Sequence, residues 1–274
     1  MTNHEHRFRL LRRIVSVQAW LAKLGDISLR MAFHAGGISL LFVQTVQAIS
    51  TKKIRWKATL DQMNKIGVLS LPLVFLTALF TGLVLSLQSA YQLRLFAAEQ
   101  FTADLVALST VRELGPVLTA MVIAGRVGAS IAAELGTMKV TEQIDALRAL
   151  AVDPVRYLVV PRFIAGFLML FILAIYADII GILGGYLIAV FKLGISSHQY
   201  MKRSINAMML KDVFTGLIKA FFFGGIITTV GCYFGFNAQG GAEGVGRATT
   251  IAVVTALILI IASDAVFTAI FYFF

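Results

Sequence analysis

The sequence predicts an all-α membrane protein, with N-terminal helices at the membrane interface followed by five transmembrane helices. Hydrophobic residues make up 58% of the 274 residues and charged residues only 14%, and the mean hydropathy is +0.85. A water-soluble domain carries about 25% charged residues. Several apolar runs reach the roughly 20 residues that a helix needs to cross a bilayer. These three observations exclude a soluble fold.

Residues 1–65 form a basic, amphipathic region ahead of the predicted spans. They hold 11 of the 24 Lys and Arg residues but only three acidic residues. Apolar and polar residues are mixed, so we expect one or two helices lying in the cytoplasmic interface, with Trp20 and Trp56 near the lipid headgroups. The alternative is an additional short span near residues 38–49, although a run of about 12 residues is shorter than a usual span.

Residues 66–274 form the predicted membrane domain, and residues 128–161 within it are too polar to cross. The third span contains the small-residue pattern Gly181-x-x-x-Gly185, which lets helices approach closely. Basic residues concentrate on the cytoplasmic side of membrane proteins, so we expect a cytoplasmic N-terminus and, with five spans, a periplasmic C-terminus. The five predicted spans cover residues 66–87, 105–127, 163–191, 213–236 and 249–274.

Ionisable residues inside the predicted spans are the first candidates for function. Each is costly in a bilayer unless it is paired or faces a wet cavity. In one arrangement Glu113 points into a central cavity and Arg112 meets a carboxylate or a lipid phosphate. The alternative is a structural salt bridge, Arg112 with Asp178 or Glu113 with Lys219. The candidates are Arg112, Glu113, Asp178, Lys219 and Asp264.

Pro116 lies four residues after Arg112 in the second predicted span. Proline has no backbone N–H, so the carbonyl oxygen of Arg112 loses its helical donor and the helix is expected to kink. A kink beside two charged residues would shape a cavity.

Residues 134–150, between the second and third spans, predict an amphipathic helix that ends before Pro154. One stripe is apolar, at Val140, Ile144, Leu147 and Ala151, and the other faces are charged. Such a helix suits docking into a groove of a partner protein. The alternative is a helix on the bilayer surface, which should be basic, whereas the acidic and basic residues here nearly balance.

Several enzymatic signatures do not occur. The chain has no G-x-x-x-x-G-K-[ST] motif, so we expect no ATP site of the P-loop type. The glycines of residues 237–247 precede a span rather than follow a strand. The single Cys232 and the four scattered histidines predict neither a disulfide nor a metal site. The net charge of +10 is read as orientation and anionic-lipid contact, not as nucleic-acid binding.

The central segment, residues 111–162, reads VRELGPVLTAMVIAGRVGASIAAELGTMKVTEQIDALRALAVDPVRYLVVPR, and GVGRATT follows near the C-terminus. This combination resembles the MlaE/YrbE family of permeases from about Gln62 onward. The resemblance implies a homodimeric permease of the inner membrane that moves phospholipid or a similar lipid between inner and outer membranes and supports outer-membrane lipid asymmetry.

The same resemblance implies partners. A separate cytoplasmic ABC ATPase dimer would hold ATP and Mg²⁺, and this chain would bind no cofactor. A hexameric protein with MCE domains would sit on the periplasmic side, and a small STAS-type cytoplasmic subunit is an optional further partner. Two other functions stay open: a proton-coupled secondary transporter using Glu113, Asp178 and Asp264, and a membrane scaffold that does not transport.

By resemblance, the lipid cavity lies at the dimer interface, and the helix at 134–150 is the coupling helix that contacts the ATPase. The implied cavity residues are Leu85, Gln88, Tyr91, Gln92, Phe96, Arg112, Glu113 and Leu114. The implied coupling residues are Glu134, Lys139, Glu142, Asp145, Leu147 and Arg148.

Overall fold

The structure is a computed structural model that describes residues 3–51 and 54–273, with side chains for 25–26, 28–50 and 54–271. Within these ranges it contains helices and no strand. The predicted all-α class is therefore confirmed. Trp20, expected near the headgroups, lies outside the described side chains.

The chain divides into two compact units, Met1–Gln44 and Thr45–Phe274. The first unit is built on helix α1 (Asn3–Thr51), and its described apolar side chains, such as Leu29 and Phe33, are largely exposed. The segment Ser28–Ser50 is long and apolar enough to cross a membrane. The structure thus offers six candidate spans where five are predicted. Five spans would place the termini on opposite faces, and six would place them on the same face.

The second unit holds the remaining helices and the other five candidate spans, Trp56–Arg94, Glu99–Val140, Val155–Phe191, Leu210–Phe236 and Gly241–Phe271. Two π turns, Thr110–Leu114 and Ala124–Gly128, join three of its helices into the continuous second span, and a third, Val155–Val159, opens the next one. The helices are α2 (Trp56–Ile66), α3 (Leu71–Arg94), α4 (Thr102–Ser109), α5 (Gly115–Ile123), α6 (Ala129–Val140), α7 (Gln143–Ala149), α8 (Val160–Phe191), α9 (Ser197–Ala207), α10 (Leu210–Phe236) and α11 (Gly241–Phe273).

Helices α8 and α10 form the centre of the second unit. In an apolar stretch of 18 residues within each of their spans, 67% is buried inside the chain, against 17% for the spans that contain α3 and α11. The outer helices therefore present apolar side chains outward, as with Phe80 on α3 and Ile258 on α11. Exposed apolar faces of this extent suit contact with lipid or with another protein.

Glycines bring α3 and α8 into backbone contact. A Cβ atom on Gly82 would overlap the carbonyl oxygen of Gly181, and one on Gly184 would lie 2.5 Å from the carbonyl oxygen of Leu79. The Ser86 hydroxyl donates a hydrogen bond to the Gly185 carbonyl oxygen (3.1 Å). The small-residue pattern in the third predicted span thus serves close helix packing.

Gly82→Ala is expected to lower the free energy of unfolding by about 1–3 kcal/mol, the usual cost of overpacking. The added methyl group meets backbone of α8, which cannot move without shifting the helix. Thermal unfolding of the purified protein in detergent measures this loss. Gly125→Ala is the matched control, because nothing lies within 4 Å of its Cβ position. Equal melting temperatures for the two variants would contradict the packing argument.

Candidate functional site

The charged residues of the second span lie in the π turn Thr110–Leu114, immediately before Gly115 and Pro116. The Gly115 N–H donates to the Thr110 carbonyl oxygen, five residues back. π turns are frequent at functional sites, and in membrane helices they can re-satisfy backbone groups that a proline leaves free. The predicted effect of Pro116 on the helix therefore takes the form of a widened turn that carries Arg112 and Glu113.

Lys219 of α10 joins three helices through its ammonium group, and its side chain is fully buried. It donates to Glu113 Oε2 (2.7 Å), Thr268 Oγ1 (2.7 Å) and the carbonyl oxygen of Arg112 (3.4 Å). The Asp264 carboxylate lies 2.9 Å away as an ion pair, and the Thr268 hydroxyl donates to Glu113 Oε1 (3.0 Å). All three ammonium protons are thereby used.

The carbonyl oxygen that accepts from Lys219 is the one that Pro116 leaves without its helical donor. The structure therefore replaces a missing backbone donor with a side-chain donor from another helix. Of the two salt bridges weighed from the sequence, the pair Glu113–Lys219 forms.

Arg112 pairs with Asp212, not with Asp178. Its Nε donates to Asp212 Oδ1 at 2.8 Å, and Asp212 is buried. The other oxygen of Asp212 accepts from the Met209 N–H (3.2 Å) and so caps α10. Asp212 is not among the residues predicted from the sequence because it precedes the predicted fourth span. The available signal was an acidic residue in the first turn of a helix.

Thr268 was also missed, although it lies four residues after Asp264 and so on the same helical face. We call Arg112, Glu113, Asp212, Lys219, Asp264 and Thr268 the intramembrane cluster. It holds two basic and three acidic side chains. The side chains of Arg112, Glu113 and Asp264 keep 38%, 36% and 22% of their surface exposed, so the accessible edge of the cluster carries both basic and acidic groups.

A groove lies between α3 and the π turn. It brings together three predicted cavity residues, Leu85, Gln88 and Leu114, with Phe80, Thr81 and Val84. Leu114 follows Glu113 directly in the chain, whereas the Glu113 side chain is directed to Lys219 on α10. Three other predicted cavity residues lie outside the groove, near the end of α3 and exposed: Tyr91, Gln92 and Phe96.

Asp178 lies apart from the cluster. It is buried on α8, and among the described residues its Oδ1 has no hydrogen-bond partner. Gly115 makes room for it, since a Cβ atom there would overlap the carboxyl group. Glu113 and Asp264 share Lys219, but Asp178 does not join them.

The predicted helix at 134–150 is interrupted, which corrects the expectation of one continuous helix. Helix α6 ends at Val140, and α7 begins at Gln143. Glu142 between them has the left-handed backbone conformation (φ 60°), which a non-glycine residue seldom adopts. The polar break turns the chain so that α7 forms a separate short helix.

Ion pairs hold the corner between α6 and α7. Asp145 accepts from Lys139 (2.8 Å) and from Arg148 (2.9 Å), while Ile144 is fully buried beneath them. The hydrogen bond from Lys139, helped by Arg148, lowers the pKa of the Asp145 carboxyl below its usual value. The contribution of these pairs is therefore present at neutral pH and is lost only as the pH falls through that lowered pKa.

Two other predicted coupling residues differ in their environment. Glu134 is bound within the chain, to Arg162 (3.0 Å) and to Lys65 (3.5 Å). Leu147 is half-buried, whereas the nearby Leu150 is 74% exposed. The outward surface of this corner is therefore built by Glu142, Arg148 and Leu150.

In the described part of the chain, no group of three His, Cys, Asp or Glu side chains is arranged to hold a metal ion. Cys232 is buried as a free thiol.

Known proteins match this chain over a range that includes both the intramembrane cluster and the α6–α7 corner. The family described as "Permease MlaE" matches residues 59–270. A probable ABC transporter permease protein of Rickettsia bellii is 43% identical over 249 residues, 91% of this chain and 96% of the relative. The intermembrane phospholipid transport system permease protein MlaE of Haemophilus influenzae is 41% identical over 212 residues, 77% of this chain and 81% of the relative. Protein TRIGALACTOSYLDIACYLGLYCEROL 1, chloroplastic, of Arabidopsis thaliana is 37% identical over 235 residues, 86% of this chain and 67% of the relative.

Proposed function

Because the chain belongs to the MlaE permease family, we propose that it is the membrane subunit of an ABC transporter that moves phospholipid or a similar lipid. The observation that supports this most is the apolar groove along α3 that is lined by Leu114, the residue after Glu113 in the chain. A phospholipid has the same division, with apolar chains and a charged headgroup. The Haemophilus relative is named for phospholipid transport.

In this proposal the acyl chains lie along Phe80, Val84 and Leu85, and the headgroup meets Gln88 and the accessible edge of the intramembrane cluster. The cluster supplies fixed charges that are already paired, so a headgroup exchanges partners with them instead of entering a dry apolar site. This lowers the desolvation cost of bringing a charged group into the membrane.

A second copy of the chain completes the site in this proposal. Helices α3 and α11 bury little of their surface within one chain, so a homodimer that joins these faces would enclose the groove. A crosslink placed at Leu85 is expected to capture dimers.

ATP would be hydrolysed by a separate cytoplasmic ATPase dimer that binds Mg²⁺ and docks on α7. Closure of the ATPases would press on α7 and collapse the groove between the two copies. The lipid would then pass to, or arrive from, a periplasmic MCE-domain protein, between the inner and outer membranes; a STAS-type subunit would bind on the cytoplasmic side.

Glu113→Gln is expected to reduce ATP-dependent transfer of labelled lipid between reconstituted membranes by about tenfold or more, since the ion pair with Lys219 is replaced by a weaker hydrogen bond from the ammonium to an uncharged amide. The permease and ATPase are reconstituted together, and transfer is followed with and without ATP. Glu243→Gln is the control, because Glu243 is exposed at the start of α11.

Normal transfer by Glu113→Gln would contradict a role for the cluster. Transfer that needs a proton gradient and no ATP would favour a secondary transporter, and absence of transfer with a stable complex would favour a scaffold. The separate position of Asp178 argues against a relay of three carboxylates.

A further inference from the structure

We propose that the face of the protein carrying α7 has a binding site for the phosphate of an anionic phospholipid headgroup, built by Arg55, Arg156 and Tyr157. The site lies in a groove lined by Arg55, Ala151, Val152, Asp153, Arg156 and Tyr157. It is formed by the chain just before α2 and the chain just before α8, whereas the proposed transport groove lies between α3 and the second span. It therefore goes beyond the transport function.

The geometry of Arg55 supports this inference first. Its guanidinium carbon lies 3.9 Å from the centre of the Tyr157 ring. Stacking on an aromatic ring holds the planar guanidinium in place and leaves its N–H edge available. A fixed guanidinium can bind two phosphate oxygens at once, which is the geometry that favours arginine over lysine at phosphate sites.

The charge balance of the groove supports it second. Among the described residues, the groove is lined by two arginines, Arg55 and Arg156, and by one carboxylate, that of Asp153. Asp153 Oδ1 accepts the backbone N–H of Val155 (3.0 Å), so this carboxylate is engaged in capping the helix that starts there. This helical segment continues from Val155 to Phe191. The positive end of its dipole, at the groove, adds to the attraction for an anion.

The position at the membrane supports a lipid as the source of the phosphate. Trp56, next to Arg55, and Leu60 on α2 are each 60% exposed. Exposed tryptophan is typical of the headgroup layer. In the sequence, Lys52 and Lys53 lie just before Arg55, and basic residues beside a span attract anionic lipids.

The full-length protein in detergent is titrated with dioctanoyl phosphatidylglycerol, and bound lipid is counted by native mass spectrometry. Arg55→Ala and Arg156→Ala are each expected to weaken binding about tenfold, as expected for the loss of a charge-assisted hydrogen bond. Lys57→Ala is the matched control, since it removes the same charge from an exposed neighbour outside the groove and should bind normally. Arg55→Lys keeps the charge but loses the stacked fork, and it should weaken binding less than Arg55→Ala does.

If Lys57→Ala weakens lipid binding as much as the arginine variants do, the lipid is attracted by the general positive charge of the region, and the proposed site is wrong. Equal binding of dioctanoyl phosphatidylcholine, unaffected by the arginine variants, would also overturn it. Displacement of the lipid by millimolar inorganic phosphate would show a site for free phosphate instead. If the arginine variants bind lipid normally but release the ATPase, the groove holds an acidic protein segment. Melting temperatures check that the variants are folded, and Arg156→Lys replaces any variant that is not.

Discussion

Lys219→Met is expected to destabilise the protein by about 3–5 kcal/mol, the typical cost of removing one partner from a buried ion pair. Lys219 is fully buried and lies within 2.9 Å of both Glu113 and Asp264. Without it, Glu113 and the Arg112 carbonyl oxygen lose a hydrogen-bond donor, and Asp264 loses its ion-pair partner. The loss is measured as a lower melting temperature and a lower yield of folded protein in detergent.

Lys211→Met is the control for this variant, because Lys211 is exposed in the first turn of the same helix. A triple variant, Lys219→Met with Glu113→Gln and Asp264→Asn, removes the unpaired charges and should recover most of the lost stability. It should not recover lipid transfer. If Lys219→Met alone melts like the parent protein, the cluster does not hold the three helices together.

Leu150→Asp is expected to lower retention of the ATPase by about 30-fold or more, which corresponds to the loss of one interface hot spot of about 2 kcal/mol. Leu150 directly follows α7 and is 74% exposed, and an exposed leucine beside the proposed docking helix suits a pocket in the partner. A charge at this position would leave that pocket with an unpaired carboxylate. Co-purification of the two subunits at graded ATPase concentrations measures the effect.

The choice of Leu150 separates docking from folding. Leu147→Asp would place a charge on a half-buried side chain and could unfold the corner, so loss of the ATPase would be ambiguous. Leu95→Asp is the matched control, because Leu95 is 77% exposed at the far end of α3. Full retention of the ATPase by Leu150→Asp would move the docking surface away from α7.

Much of the membrane domain could be predicted from the sequence, because a bilayer requires apolar spans of a minimum length and requires a partner for each charge within them. The pair Glu113–Lys219 could be anticipated, since an isolated charge within a span needs a partner. The pair Arg112–Asp212 could not, because α10 begins at Leu210 and extends the fourth helix over a residue that hydropathy assigns to a loop.

Two further differences have local causes. The break at Glu142 depends on a left-handed backbone that glycine or asparagine would have signalled and glutamate does not. Polar residues interrupt the apolar pattern of the N-terminal region, yet helix α1 runs through them without a break. Its segment Ser28–Ser50 is therefore long and apolar enough to be a sixth candidate span. Which residues line the lipid site and dock the ATPase stays a prediction.

In the proposed transport cycle, the continuous second span would act as a lever with unequal arms. Residues Glu99–Val140 form one continuous helical segment of 42 residues, about 60 Å long at 1.5 Å per residue and about twice the thickness of the bilayer core. The ion pair of Glu134 with Arg162 lies about 9 Å from the end at Val140 and about 30 Å from Glu113. With Glu134 as the fulcrum, a push of about 1 Å at α7 would become a sweep of about 3 Å at the intramembrane cluster.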